Sequence, residues 1–379
     1  METPSPTGSG GVATGERLVS LDALRGFDMF WIAGADAIGD ALHHFGGGRL
    51  TQSLAVQLDH VDWAGFHFYD MIFPTFLFMM GVAIPFSMAR MIEQGGQAAA
   101  ARRIFRRAIL LVLVGILYYG GINHGFSHIR WMGVLQRFGL CYLAGALLYL
   151  RLGPRGLVAV CIGLLLGYWA LLTFVPVPGV GAGNYAEGMN LSNWIDRMYL
   201  PGRKWDGDHD PEGLLSTFPA IGTALIGVLS GMWLRNVRVA PLKRALALGG
   251  SGAVLLVLGL AWGEHFPVIK KIWTSSFVLV AGGNAVMALA LFYLVIDVWK
   301  VRAWATPFVW VGANALTIYL LCNVIEFGPL AQRFVGGEVS AWLDTIHTGL
   351  GGLVVALFSA GLCFAIARLL FQRKLFLRL

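Results

Sequence analysis

Charge is scarce in this sequence. Asp, Glu, Lys and Arg make up 13% of its 379 residues, against about 25% in soluble domains, which excludes a water-soluble enzyme. Cysteine is rare too. Cys141, Cys161, Cys322 and Cys363 all lie inside apolar runs, unpaired by spacing. They read as small buried hydrophobes, so neither a disulfide framework nor a thiolate metal site is supported. There is no G-x-G-x-x-G after a strand pattern, no P-loop and no G-x-S-x-G. Nucleotide hydrolysis and serine-hydrolase chemistry therefore lack their carriers. H-E-x-x-H and EF-hand spacing are missing as well, so the acidic stretch KWDGDHDPEG is expected to hold no metal. Residues 1–16 have no basic n-region and no apolar h-region. Their Gly, Ser, Thr and Pro content predicts a short disordered tail.

What remains is a membrane sequence. Apolar residues make up 57% of the chain, and its mean hydropathy is +0.68. They fall into ten candidate helices of about 20 residues. These run roughly over 22–42, 66–89, 107–122, 137–151, 156–175, 214–234, 244–262, 273–297, 304–325 and 346–368. The pattern predicts an all-α integral membrane protein, one transmembrane domain over 17–379. The net charge of +7 fits loops held at an anionic lipid surface better than a nucleic-acid partner. With both termini cytoplasmic, 19 of the 28 Lys and Arg residues lie on the inner side, as the positive-inside rule requires. All nine histidines and most carboxylates then fall on the outer side, with long mixed segments at 43–65, 123–136 and 176–213.

Two segments concentrate the chemistry. The first helix carries Asp22, Arg25, Asp28, Asp36 and Asp40, and intramembrane ionisable groups usually pair or line a cavity. Asp22, Arg25 and Asp28 share a face, either as a salt-bridge cluster or with Arg25 facing an anionic ligand. Asp36 has no local cation and is the better site candidate. The second segment, QLDHVDWAGFHFYDMIFP, sets His60 between Asp59 and Asp62 and ahead of Asp70. A histidine beside a carboxylate is the usual general-base arrangement. Asp70 could equally cap a helix start. Further polar blocks hold His124 and Arg137, then Asp210 and Glu212, then Lys270, Trp273, Ser275 and Asn314. Asp210-Pro211-Glu212 also makes good helix N-terminal chemistry.

Six motifs in order are RLVSLDALRGFDMF, HVDWAGFHFYDMIFPTFLFMMG, IRWMGVLQRFGLCYL, DPEGLLSTFPAIGTALIGVLSG, KKIWTSSFVLVAGG and GANALTIY. Together they resemble the heparan-α-glucosaminide N-acetyltransferase family from about residue 17 to the last helix. The resemblance implies acetyl transfer from cytoplasmic acetyl-CoA to an amino sugar on the outer side of the membrane. It places the family's catalytic histidine on His60 of His60–Trp63–Gly65 and its first-helix asparagine on Asp36, a departure that puts a carboxylate where the family has an amide. Asp70 joins them as the third catalytic expectation. Arg25, Trp273, Ser275 and Asn314 are expected at the donor. Asp59, Asp62, Trp63, His124, Arg137, Asp210 and Glu212 are expected at the acceptor, a glucosamine-like glycan. The sequence has no counterpart of the family's large luminal domain, which suits a bacterial cytoplasmic-membrane protein, and the resemblance leans toward a homodimer. The competing reading is a secondary transporter. Ten helices divide into five plus five of opposite orientation, as in inverted repeats, although no repeat is visible between the halves.

Overall fold

Long apolar runs between glycine- and proline-marked breaks fold here almost entirely as helix. The computed structural model describes residues 18–45, 48–123 and 125–377. Among these, extended pairing is limited to isolated bridges. The 1–16 tail lies outside the described residues, as does His124.

The helices in chain order are α1 (Val19–His44), α2 (Gly48–Leu58), α3 (Ile72–Tyr118), α4 (Val134–Arg151), α5 (Pro154–Phe174), α6 (Leu191–Tyr199), α7 (Thr217–Leu234) and α8 (Pro241–Gly263). They continue as α9 (Ser275–Phe292), α10 (Thr306–Ala313), α11 (Ala315–Ile325), α12 (Phe327–Val335), α13 (Glu338–Ile346) and α14 (Leu350–Gln372). Six helical stretches among the described residues are long and apolar enough to cross a membrane, and a bent α10–α11 pair adds a seventh. α1 is not among them, because its seven ionisable residues dilute its hydropathy. The protein is thus an all-α, multi-pass membrane protein.

Two expected boundaries are corrected. The spans at 66–89 and 107–122 do not end at a basic loop. Helix α3 runs through 90–107 and is broken only at Gly96, whose φ of 72° a glycine adopts without a Cβ penalty. The span at 304–325 is two helices meeting at 71° around Asn314.

α3, α7 and α9 form the centre, with Phe78, Val82, Leu225, Val228, Phe277 and Ala281 fully buried between them. About 72% of the apolar window of α7 is buried, against 22% for α8 and 28% each for α5 and α14. The last three therefore form the lipid-facing rim. α1 packs on α10 and α14 through small residues. A Cβ on Gly26 would enter the Phe308 carbonyl, and one on Gly312 the Asp22 carbonyl. The two backbones touch there, as membrane helices with small interfacial residues do.

Candidate active site

The chain before α3 cannot continue α2, because its donors are taken up elsewhere. Asp70 sits in a short 3-10 turn, Phe68–Met71, and its Oδ2 accepts the backbone N–H groups of His67 at 3.1 Å and Val61 at 3.3 Å. Those bonds curl the 60–70 stretch around the carboxylate and bring His60 to it. His60 Nδ1 lies 2.9 Å from Asp70 Oδ1, and its ring stacks on Tyr69 at 4.4 Å and 8°. Asp70 is therefore both a cap and the carboxylate partner of His60.

A second strand of chain meets this loop. Gly65 N–H donates to the Val268 carbonyl at 2.9 Å, and Ala64 bridges Ile269. The junction carries Lys270 to the site. Its Nζ is 2.9 Å from His60 Nδ1, 3.3 Å from Nε2 and 3.2 Å from Asp70 Oδ1. Burial pushes the Lys270 ammonium below its ordinary pKa, while the adjacent Asp70 charge pulls it back up. Asp36 of α1 lies at the Tyr69 hydroxyl. The three expected catalytic residues thus gather around one ring pair. Lys270 and Tyr69 complete the group. The sequence had marked Lys270 only as an unusual polar residue and gave no signal for Tyr69.

His60, Tyr69, Lys270 and Glu212 line one end of a cavity of about 940 Å³. It continues along α3 past Phe73, Phe76 and Met80 to Arg25, Arg90, Arg103 and Arg107. From Ile72 to Arg90 is 18 residues, roughly 27 Å of helix. One apolar-walled passage therefore joins a His–Asp–Lys group to a four-arginine end. Arg25 is also paired with Asp22 at 3.4 Å, so it is both a salt-bridge partner and a lining residue of the cavity. The break between α10 and α11 opens onto the same passage, and Asn314 lines it. Its side-chain oxygen and nitrogen are buried without a hydrogen-bond partner. The Arg107 Nε, over the Tyr142 ring, is likewise unpartnered. These buried polar atoms have no protein partner and belong to residues that line the cavity.

Several expected ligand residues are used otherwise. Arg130 holds Asp210 in a fork at 2.9 and 2.7 Å and reaches Glu212 at 2.6 Å. Asp210 also accepts the N–H groups of Trp205 and Glu212, so its lone pairs are consumed in the fold. Glu212 still lines the cavity, and burial raises its pKa. Arg137 is fully buried, donating to Ser216 Oγ and lying over Trp273. Trp273 packs in the core with its indole N–H on Thr223, and Ser275 donates to the Leu165 carbonyl. Neither residue lines the cavity. Trp63 donates to the Tyr185 carbonyl at 2.9 Å, Asp59 Oδ2 lies 2.7 Å from His43 Nε2, and Asp62 is exposed. Trp63 and Asp59 thus brace the chain around His60, and none of the three lines the cavity. In the sequence Arg130 is one polar residue of the block at 123–137, with nothing there to show its pairing with Asp210 and Glu212.

Residues 17–127 match a family described as a domain of unknown function, DUF5009, a stretch that contains Arg25, Asp36, His60 and Asp70. The chain is 27% identical over 372 residues to the heparan-α-glucosaminide N-acetyltransferase of Homo sapiens, covering 82% of this chain and 53% of that protein. It is 25% identical over 421 residues to the Mus musculus enzyme of the same name, covering 96% of this chain and 61% of that protein. The chain thus spans between half and two thirds of the relatives' length. The resemblance carried by the six motifs is shown at the family level: over most of its length this chain is similar to the heparan-α-glucosaminide N-acetyltransferases.

Proposed function

We propose that the chain transfers an acetyl group from acetyl-CoA, held at the arginine end of the cavity, to the amino group of a glucosamine-like sugar at the His60 end. The observation that carries this reading is the single passage joining the two ends. Arg25, Arg90, Arg103 and Arg107 would hold phosphates, and Asn314 a polar group along the acyl arm. A relative's name supplies the acceptor class. Ten spans with both termini in the cytoplasm then put the arginines on the donor side and His60 opposite. The count follows if α1, α4, the two halves of α3 and the bent α10–α11 pair each cross once. Cysteine labelling of Asp208→Cys and Ala240→Cys from outside tests the map, with only the first expected to react. The cytoplasmic membrane of a bacterium is the fitting location, and a homodimer the fitting assembly.

Chemically, the attacking amine must lose a proton as its nitrogen bonds to the acetyl carbon and the carbon–sulfur bond breaks. With Nδ1–H donated to Asp70, the Nε2 lone pair of His60 is left to take that proton, a role that typically contributes 10²–10⁴-fold. The same nitrogen could carry the acetyl group transiently. The Lys270 ammonium, beside the same ring, would stabilise the charge that develops on the carbonyl oxygen. Incubating detergent-purified protein with acetyl-CoA and a panel of amino sugars, with detection by mass, tests the reading. No acetylated product from any amine would sink it.

One observation favours a second reading. Helices broken at mid-span, as at Asn314, are typical of secondary transporters. Labelled acetyl-CoA with membranes separates the two, since a transporter moves its solute without covalent change.

A further inference from the structure

The long segment between α5 and α7 carries a second cluster that plays no part in the acetyl-transfer reading. Glu187, Asp206 and His209 each present one donor atom, and these atoms all lie within 4.8 Å of one another. Acidic groups alone are common at surfaces. His209 sets this cluster apart. The residue is 4% exposed, and its Nε2 has no hydrogen-bond partner. That nitrogen lies 3.5 Å from Glu187 Oε1 and 3.9 Å from Asp206 Oδ2. These separations exceed good hydrogen-bond length. They approach the roughly 3.4 Å between two ligands that each sit about 2.1 Å from one tetrahedral ion. Asp206 Oδ2 is itself buried without a hydrogen-bond partner.

The other ring nitrogen is fixed. His209 Nδ1–H donates to Asp208 Oδ1 at 2.7 Å, and Arg197 Nε donates to the second oxygen of Asp208 at 2.6 Å. A carboxylate on the far nitrogen is the arrangement that orients a metal-binding imidazole, and it leaves the Nε2 lone pair facing the two acids. Lys271 Nζ already brings positive charge to the same oxygens, 3.1 Å from Glu187 and 3.6 Å from Asp206. It sits on a flexible, partly exposed side chain.

We infer that Glu187, Asp206 and His209 form a divalent transition-metal site of the zinc class, with Lys271 as a displaceable counter-cation. One imidazole with two carboxylates suits Zn²⁺ better than Ca²⁺, which takes oxygen ligands, and water completes four-coordination. The ion staples two separate stretches of the 176–213 segment. Glu187 lies two residues from Tyr185, whose carbonyl Trp63 holds, and the displaced Lys271 directly follows Lys270. Occupancy therefore stiffens the wall behind the His60 loop.

Chelator-stripped full-length protein in detergent, titrated with zinc chloride, tests the site by bound-metal analysis, calorimetry and thermal unfolding. We expect saturable binding of one ion per chain and a higher unfolding temperature. His209→Gln and Asp206→Asn should each weaken binding at least about tenfold, and Asp208→Asn roughly 10–100-fold as an outer-shell partner. Lys271→Met should tighten binding by removing the competing charge. Asp206 is less buried than His209, and its variant carries the test if His209→Gln does not fold. No saturable binding, or binding that ignores both ligand variants, or weaker binding in Lys271→Met, overturns the assignment. None of these measurements depends on acetyl transfer.

Discussion

Lys270 Nζ lies 2.9 Å from Nδ1 of His60, the same nitrogen that faces Asp70 Oδ1 at 2.9 Å. A single ring nitrogen cannot accept from an ammonium and donate to a carboxylate at once. Two proton arrangements therefore compete, and the charge on Lys270 chooses between them. Acetyl transfer as proposed needs Nδ1–H on Asp70 with Nε2 free, which leaves the Lys270 ammonium to pair with Asp70 Oδ1, 3.2 Å away.

Removing the lysine should settle the competition. In Lys270→Met, nitrogen NMR of labelled histidine should show the Nδ1–H tautomer of His60 at every pH where the ring is neutral. Transfer should fall by roughly 10²–10³, the usual cost of a lost oxyanion donor, with acetyl-CoA affinity unchanged. Full activity in this variant would remove Lys270 from the chemistry.

His60→Ala should leave helix content and acetyl-CoA binding near wild type, because the arginine end is roughly 27 Å away along α3. Acetyl transfer should drop by 10²–10⁴. His67 is the internal control, since its Nδ1 faces the Asp59 carbonyl at 3.1 Å and it does not line the cavity. His67→Ala should cost much less. If it loses transfer while His60→Ala keeps it, the active centre lies elsewhere.

At the other end, Arg25→Ala should weaken acetyl-CoA binding by about 1.5–3 kcal/mol, the range for a hydrogen bond to a charged group. Calorimetry at rising salt should show further weakening where the contacts are exposed. Unchanged affinity in a folded variant would leave Arg25 in a structural role, paired with Asp22 and the Met79 carbonyl.

Asp196 makes a pH-dependent prediction. Burial raises its carboxyl to about 6 from an ordinary value of 3.8, and its Oδ2 has no hydrogen-bond partner. The folded state thus holds its proton more tightly than the unfolded chain. The associated stability is present below about pH 4 and is lost as pH rises through about 6. Asp196→Asn keeps an acceptor for the Leu214 N–H, 2.8 Å away, without the buried charge. It should stabilise the protein by about 3 kcal/mol at pH 7.5 and by much less at pH 4.5. Equal effects at both pH values in thermal unfolding would contradict the raised value.

Local pattern was enough for the helices and for the chemistry-bearing segments. Runs of apolar residues determine where a chain leaves water, and low charge makes a membrane the solvent, so most spans fall within a few residues of the sequence-derived ranges. The 60–70 stretch was legible too, because His60 and Asp70 meet across one short turn. Long-range pairing was not. Arg130 takes Asp210 from 80 residues away, and Lys270 reaches His60 from 210 residues away. Trp273 and Ser275 looked like ligand residues until packing gave their donors to Thr223 and Leu165. A polar side chain inside a bundle is satisfied by whatever the tertiary fold sets beside it. Its own neighbours in sequence show that it needs a partner, and only the packed structure decides which partner it has.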